Sequence, residues 1–396
     1  MTATGTTTDL LDWVAGHRDA MVGDVLAYVG IETPSDAPAL LAEGLAWVEQ
    51  WLGETVGAPT ARTVHPTDGH GDVAVLDLEA PLGSDVWVTA LCHYDTVWAA
   101  GTIAARPAAV DGDRMTGPGV YDMKAGLVQL AWAIRAVDAA ALPRPNIRLL
   151  LNGDEEVGSK GSRTVIEDTV RRTDGPVLVF EASAGEHGAL KTARKGVGLF
   201  DIEITGVEAH AGLDPRAGAS AVDELARVVL TLHGATDLEA GTSCNVGVVA
   251  GGTRPNVRAG HASAALDVRV SSSEEADRID GVLAALTPEN PLATITVHGG
   301  WNRPVMERTE ANVALFARAE SVARGMGLTV EETAVGGASD GNFASALGRA
   351  VLDGLGAVGD GAHARHEWAS VQGMVERTAL AAGVLVDLAS GTDLRR

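Results

Sequence analysis

Four places in this chain put imidazole or carboxylate groups directly after a short apolar run. His93-Tyr94-Asp95 follows VWVTALC (86–92), and Asn152-Gly153-Asp154-Glu155-Glu156 follows IRLLL (147–151). Glu181 follows VLVF (177–180), and the stretch after RAVLD (349–353) runs through Gly-rich sequence to His363. Between the first two, GPGVYDMKAG sets Asp122 just ahead of a helical pattern. Gathering these groups would crowd several carboxylates together, and burying them costs several kcal/mol unless positive charge sits among them. Lys124 is the one basic side chain beside these positions. Metal cations answer the need directly, and a His plus Asp/Glu donor set without Cys suits zinc, manganese or cobalt. Five candidate ligands exceed what one catalytic ion with an open position uses, and they fit two ions sharing one carboxylate. Asp95, two residues after His93, is placed to orient that imidazole. Each piece alone has an ordinary structural reading, such as a dipole-compensating Glu pair or a simple turn. Their common position at strand ends sets those readings aside.

The elements that must hold these groups are legible in the hydrophobic pattern. The apolar runs are buried strands, and residues 124–139 and 160–171 read as helices between them; a further helix spans 37–52, with Leu41, Leu45, Val48 and Leu52 at helical spacing. This alternation predicts an α/β domain with a mostly parallel sheet and helices on both faces, with its site beyond the carboxyl ends of the strands. The middle of the chain differs. Phe200, Ile202 and Ile204 alternate with polar residues, as do Leu266, Val268 and Val270. Strands at 199–205, 242–250, 261–271 and 293–298 and helices at 218–233 and 274–286 give the order β-α-β-β-α-β of ferredoxin-like α+β folds. We therefore expect an inserted domain over 196–303, with 1–195 and 304–396 forming one discontinuous domain.

Composition narrows the function further. Hydrophobic residues make up 46 % and charged residues 21 %, ordinary for a globular chain. A net charge of −23 argues against nucleic acid or anionic membrane as partner, since both repel an acidic surface. No apolar run reaches membrane-spanning length, and the N-terminus lacks a basic stretch followed by an apolar core, so a soluble cytoplasmic protein is expected. Cys92 and Cys244 cannot build a disulfide framework and read as reduced thiols.

LCHYDTVW, GPGVYDMKAG, NGDEEVGS, FEAS, GVEAHAG, LDVR, GGASDGNF and GAHARHEW occur in this order. Together they resemble the di-zinc aminoacylase/carboxypeptidase family, which includes carboxypeptidases of the G type, acetylornithine deacetylase and succinyl-diaminopimelate desuccinylase. The resemblance spans about residues 20–390, with the glutamate carboxypeptidase branch nearest. It implies two Zn2+ ions, with Co2+ or Mn2+ as substitutes: His93 and Glu181 on one, Glu156 and His363 on the other, and Asp122 bridging. It implies that Glu155 is general base and then general acid. His363 rather than His366 is implied as ligand, because it follows the Gly-Ala turn before Glu367-Trp368. The inserted domain resembles the family's lid and dimerisation domain, implying a homodimer in which His210 reaches the partner's site. Asn256, Arg269, Arg303 and the loop around Gly337 match substrate-contacting positions. After Asn256 the chain departs from the family pattern, reading Val257-Arg258-Ala259-Gly260.

The expected reaction is metal-dependent hydrolysis of an amide bond that releases a C-terminal amino acid, glutamate, from peptides or N-acyl conjugates. Arg269, facing away from its apolar neighbours, would grip a substrate carboxylate. An N-acyl amino acid deacylase or a dipeptidase would use the same chemistry. A non-catalytic metal-dependent binding protein is a third reading, disfavoured by Glu155 standing beside all five ligands.

Overall fold

The computed structural model describes residues 3–390, with side chains from residue 9 onward; residues 1–2 and 391–396, at the ends of the expected discontinuous domain, lie outside the described residues. The chain forms two compact units. One comprises the chain up to Ala193, Arg308–Val335 and everything from Ser339; the other comprises Arg194–Glu307 with Gly336–Ala338.

In the first unit a six-stranded sheet runs in the order Ala61–His65, Gly71–Leu78, Asn146–Gly153, Trp87–His93, Val177–Val179, Val351–Leu352. The last four strands are mutually parallel, and the first two add an antiparallel edge. The parallel strands are buried on both sides, which is why they read as continuous apolar runs. The RAVLD run yields only the two-residue strand Val351–Leu352. The helix Ala125–Ala139 is buried nearly all round, against the helices Val371–Leu388, Pro38–Val56 and Arg18–Val29. Its second residue must be glycine: a Cβ on Gly126 would lie 2.0 Å from the Phe180 carbonyl oxygen, so the helix can seat directly on the strand end that leads into Glu181.

A second, four-stranded sheet in this unit is built from very short strands, Gly359–Asp360, Trp368–Ser370, Arg114–Thr116 and Ala109–Asp111. It brings the segment before Asp122 beside the segment after His363.

The second unit follows the expected element order. Its antiparallel sheet runs Ser243–Gly251, His261–Val270, Gly196–Thr205, Thr294–Arg303, with the helices Ala221–Gly234 and Ser273–Ala284. The alternation in Gly196–Thr205 is the alternation of burial: Phe200, Ile202 and Ile204 point into the core while Leu199, Asp201, Glu203 and Thr205 stay exposed. Ser220 and Ser272 cap the two helices by accepting from the backbone N–H groups of Asp223 and Glu275.

Candidate metal centre and active site

The carboxyl ends of the parallel strands bring the predicted ligands together. His93 closes the Trp87–His93 strand, Glu181 lies two residues beyond Val177–Val179, and Glu156 sits on a single 3-10 turn, Glu155–Val157, after Asn146–Gly153. Asp122 lies in a wide turn, Val120–Lys124, at the head of the Ala125–Ala139 helix, and its peptide bond to Met123 is cis. His363 comes from the loop between Gly359–Asp360 and Trp368–Ser370, and its φ of 61° places it in the left-handed region, costing a non-glycine residue about 1–2 kcal/mol.

Two donor groups result. His93, Asp122 and Glu181 form one, and Asp122, Glu156 and His363 the other; within each, one donor atom per residue lies within 4.8 Å of the rest. His93 Nε2 is 3.2 Å from Asp122 Oδ1 and 3.4 Å from Glu181 Oε1. His363 Nε2 is 3.4 Å from Asp122 Oδ2 and 2.9 Å from Glu156 Oε2. Asp122 thus turns one oxygen to each group. Glu156 Oε1 is buried with no hydrogen-bond partner among the described residues. A buried carboxylate oxygen left unpaired is costly, and a cation between the donors removes that cost. The donor chemistry and this orphan oxygen both fit a pair of divalent ions.

The two imidazoles bring positive charge among these carboxylates. Hydrogen bonds to Asp122 and Glu156 raise the pKa of His363 to about 10, although burial works against it. Burial disfavours charge on His93, but Asp122, Asp95 and Glu181 override it and hold its pKa well above the usual imidazole value. Asp122, whose burial alone would raise it, is held well below the usual carboxylate range by the two imidazoles. Burial, then the charge of Asp122, pushes Glu156 up to about 7.

Asp95 does more than face the imidazole. His93 Nδ1 lies 3.0 Å from the Asp95 backbone oxygen and 3.5 Å from its carboxylate, which fixes Nδ1 as the protonated nitrogen and leaves Nε2 for the donor group. The Asp95 carboxylate also accepts the backbone N–H groups of Glu155 and Glu156, each at 3.2 Å, and the hydroxyl of Ser35 at 2.7 Å. One buried side chain therefore sets both an imidazole and the half-buried turn that carries Glu155 and Glu156.

Sequence reasoning missed several supports. Asp340 accepts from Asn152 Nδ2 at 2.8 Å and from Ser159 Oγ at 2.6 Å, so the loop after Gly337 is tied to residues flanking the Glu155–Val157 turn. The motif GGASDGNF carried that signal in its lone Asp. Lys124 does not compensate the carboxylates: its ammonium donates to the backbone oxygens of Tyr28 and Ile31 and lies 5.0 Å over the Tyr28 ring, and burial lowers its pKa to about 7.

His210, Asn256, Arg269, Arg303 and Gly337 lie in the second unit. His210 and Asn256 are neighbours there: Ala211 N–H donates to the Asn256 carbonyl at 2.9 Å, and His210 bridges to Val257. His210 Nδ1 accepts from the N–H groups of Gly212 and Leu213, both at 3.1 Å, so the proton resides on Nε2 of this exposed ring. Arg269 is held bidentately by Asp267 at 2.8 Å, an in-strand pair that the alternation pattern did not foreshadow. Arg303 is buried, and Gly337, exposed, offers its carbonyl to Arg194 at 3.2 Å.

A parallel sheet at whose rim two histidines and three carboxylates gather, one of the carboxylates shared, is the plan of a metal-dependent hydrolase. The profile of Peptidase family M20/M25/M40 matches residues 91–387, and the chain belongs to that family. It is 28 % identical to Carboxypeptidase G2 of Pseudomonas sp. (strain RS-16) over 95 % of this chain and 91 % of that one. It is 30 % identical to acetylornithine deacetylase of Myxococcus xanthus over 50 % of this chain and 51 % of the other. Among solved structures it resembles the aminopeptidase PepT of Bacillus cereus (TM-score 0.79, 20 % identity, covering 94 % and 99 % of the two chains). It also resembles a dinuclear metal-binding M20 peptidase of Bacillus subtilis (TM-score 0.68, 12 % identity, covering 95 % and 99 %).

The proton-loaded centre predicts opposed pH trends. A histidine whose pKa is raised by folding stabilises the folded state fully below its ordinary 6.5 and progressively less as pH climbs to about 10. The metal-stripped protein should therefore lose thermal stability between those values, and His363→Ala should flatten that part of the profile. Metal affinity, titrated calorimetrically, should rise over the same window because each ion displaces protons.

Proposed function

We propose that this chain hydrolyses an amide bond to release a C-terminal amino acid, with glutamate as the favoured leaving residue, from peptides or N-acyl conjugates. The observation that carries the reading is the likeness to Carboxypeptidase G2 along nearly the whole chain, coupled to the paired donor groups with Glu155 beside them. The half-length likeness to acetylornithine deacetylase keeps an N-acyl amino acid deacylase as the second reading. The proposed ions are two zinc, replaceable by cobalt or manganese, held by His93, Glu181, Glu156 and His363 with Asp122 shared. When bound, such a pair polarises the scissile carbonyl and acidifies a water. Glu155 takes the proton of the attacking water and returns it to the leaving nitrogen. Asp95 keeps that carboxylate's backbone and the His93 ring in register. The free, buried thiols of Cys92 and Cys244 are consistent with the reducing cytoplasm we assign to the protein.

We assign the second unit the role of lid and dimerisation domain. Ser243–Gly251 is an edge strand of its sheet, with Val248 and Val249 65 % and 59 % exposed, and Leu230 on the Ala221–Gly234 helix is 74 % exposed. An apolar edge of this kind invites pairing with a second copy. In such a dimer the exposed His210 would donate from Nε2 to the oxyanion in the partner's site. Arg269, with Asn256, Arg303 and the Gly337 loop, would receive the substrate's carboxylate and carbonyl groups.

Four measurements test these assignments. Glu155→Gln should bind metal as the wild type does and lose about 10²–10⁴-fold in kcat; wild-type turnover would remove the residue from the mechanism. On a panel of dipeptides and N-acyl amino acids analysed by product mass, acidic C-terminal residues should be released preferentially. Arg269→Ala should raise KM for those substrates about 10–100-fold, the worth of a charged hydrogen bond, whereas preferential release of apolar or basic residues favours the deacylase reading. Mixing His210→Ala with Glu155→Gln subunits should restore activity that neither variant has alone, because one site in each mixed dimer then holds both groups; a silent mixture would place His210 in its own chain's site, and an active His210→Ala variant would place it outside catalysis.

A further inference from the structure

Glu367 is fully buried four residues after His363, and the mechanism above gives it no part. Its carboxylate is surrounded by donors. Oε1 accepts the backbone N–H groups of Tyr121 at 3.0 Å and Asp122 at 3.2 Å; Oε2 accepts Gly119 N–H at 3.0 Å and the Trp98 indole N–H at 2.8 Å. The Arg106 guanidinium stacks 4.9 Å over the Trp98 ring, donates to the Glu367 backbone oxygen at 2.7 Å, and brings Nη1 to 3.8 Å from Oε2. Three amides of one turn, those of Gly119, Tyr121 and Asp122, and an indole thus converge on one anion, a concavity lined by backbone N–H groups of the kind that holds anions. Gly119 makes the turn possible: its φ is 71°, and a Cβ there would lie 2.6 Å from Thr96 Cγ2.

The position of this clamp gives it a function. The amides it holds belong to the turn that carries Asp122, while Glu367 itself ends the loop that carries His363. Trp368 pairs with Thr116 in the small sheet, so both loops leave the same pair of strands. Each loop presents one donor, and the two meet only in the Asp122–Glu156–His363 group. We propose that Glu367 is a positioning residue for that metal site, an internal anion that fixes the separation of Asp122 and His363 by gripping the backbone of one loop from the root of the other. This rests on the reading of the two groups as metal sites. The specificity of the clamp lies in its being an acceptor at both oxygens: glutamine would turn an NH2 group against N–H donors at one end, so the isosteric change should break the grip rather than weaken it slightly.

The test is calorimetric titration of metal-stripped protein with zinc, repeated with cobalt while following its visible absorption. Wild type should take up two ions. Glu367→Gln should bind the ion at the Asp122–Glu156–His363 group about 10–100-fold more weakly, the usual effect of losing a group that orients a ligand, with a smaller change at the other group and an altered cobalt spectrum. Turnover should recover at high metal concentration with KM unchanged, and Glu367→Asp should fall between. Unchanged affinities, or equal weakening of both ions, would overturn the proposal. If Glu367→Gln does not fold, Trp98→Phe, which removes one donor to the clamp and keeps the ring, decides: a selective loss of the same sign supports the clamp and wild-type affinities overturn it. Uptake of fewer than two ions by the wild type would instead defeat the two-site reading on which the proposal stands.

Discussion

Asp122, Glu156 and Glu181 repel one another across a few ångströms of partly dehydrated protein, and the structure around them is organised by that repulsion. Two imidazoles come in opposite, and the carboxylates facing them raise their pKa values above that of free imidazole. Even so, one oxygen of Glu156 is left without a partner among the described residues. A centre assembled this way is unfinished without cations, and the side chains that touch no donor atom serve to keep it from relaxing. Asp95 holds His93 and the backbone of Glu155 and Glu156; Asp340 holds Asn152 and Ser159 on either side of the same turn. Each is a short polar side chain reaching backbone or amide groups, which gives little freedom for adjustment.

That these side chains would meet was legible because a parallel sheet exposes its chemistry at one edge. A run such as VWVTALC announces a strand buried on both faces, and whatever follows it must emerge on the rim. The ferredoxin-like order of the second unit was equally readable, since one-sided burial writes itself as alternation in Phe200, Ile202 and Ile204. The small sheet that frames Asp122 and His363 left no such trace: strands of two or three residues are too short to show a period. Nor did the direction of Lys124 or the pairing of Arg269 with Asp267, because a side chain's partner depends on neighbours from other segments or on rotamer choice rather than on spacing.

The second unit shows how backbone amides can set a tautomer. Two amides directed at His210 Nδ1 suffice, since an N–H donor and a protonated nitrogen cannot share that position. The ring thereby offers Nε2 as its donor. Arg269, by contrast, already has a carboxylate partner, so a substrate carboxylate would arrive in competition with Asp267. Binding there would be an exchange of anions, which favours substrates able to present two oxygens at once.

The Ser35 hydroxyl on Asp95 extends the centre in an unexpected direction along the chain. Thr33 and Ser35 exchange backbone hydrogen bonds with Thr96, at 2.8 and 3.1 Å, so the segment after the second helix is stitched to the strand end that carries His93 and Asp95. The stretch matched by the family profile begins at residue 91, after this segment and after both antiparallel edge strands. The Ser35 contact to Asp95 thus comes from outside the stretch that the profile matches. The side chain that sets the His93 ring and the Glu155–Val157 turn is itself anchored by a hydroxyl 60 residues upstream, so the stiffness of the centre depends on a segment that contributes no donor atom to it.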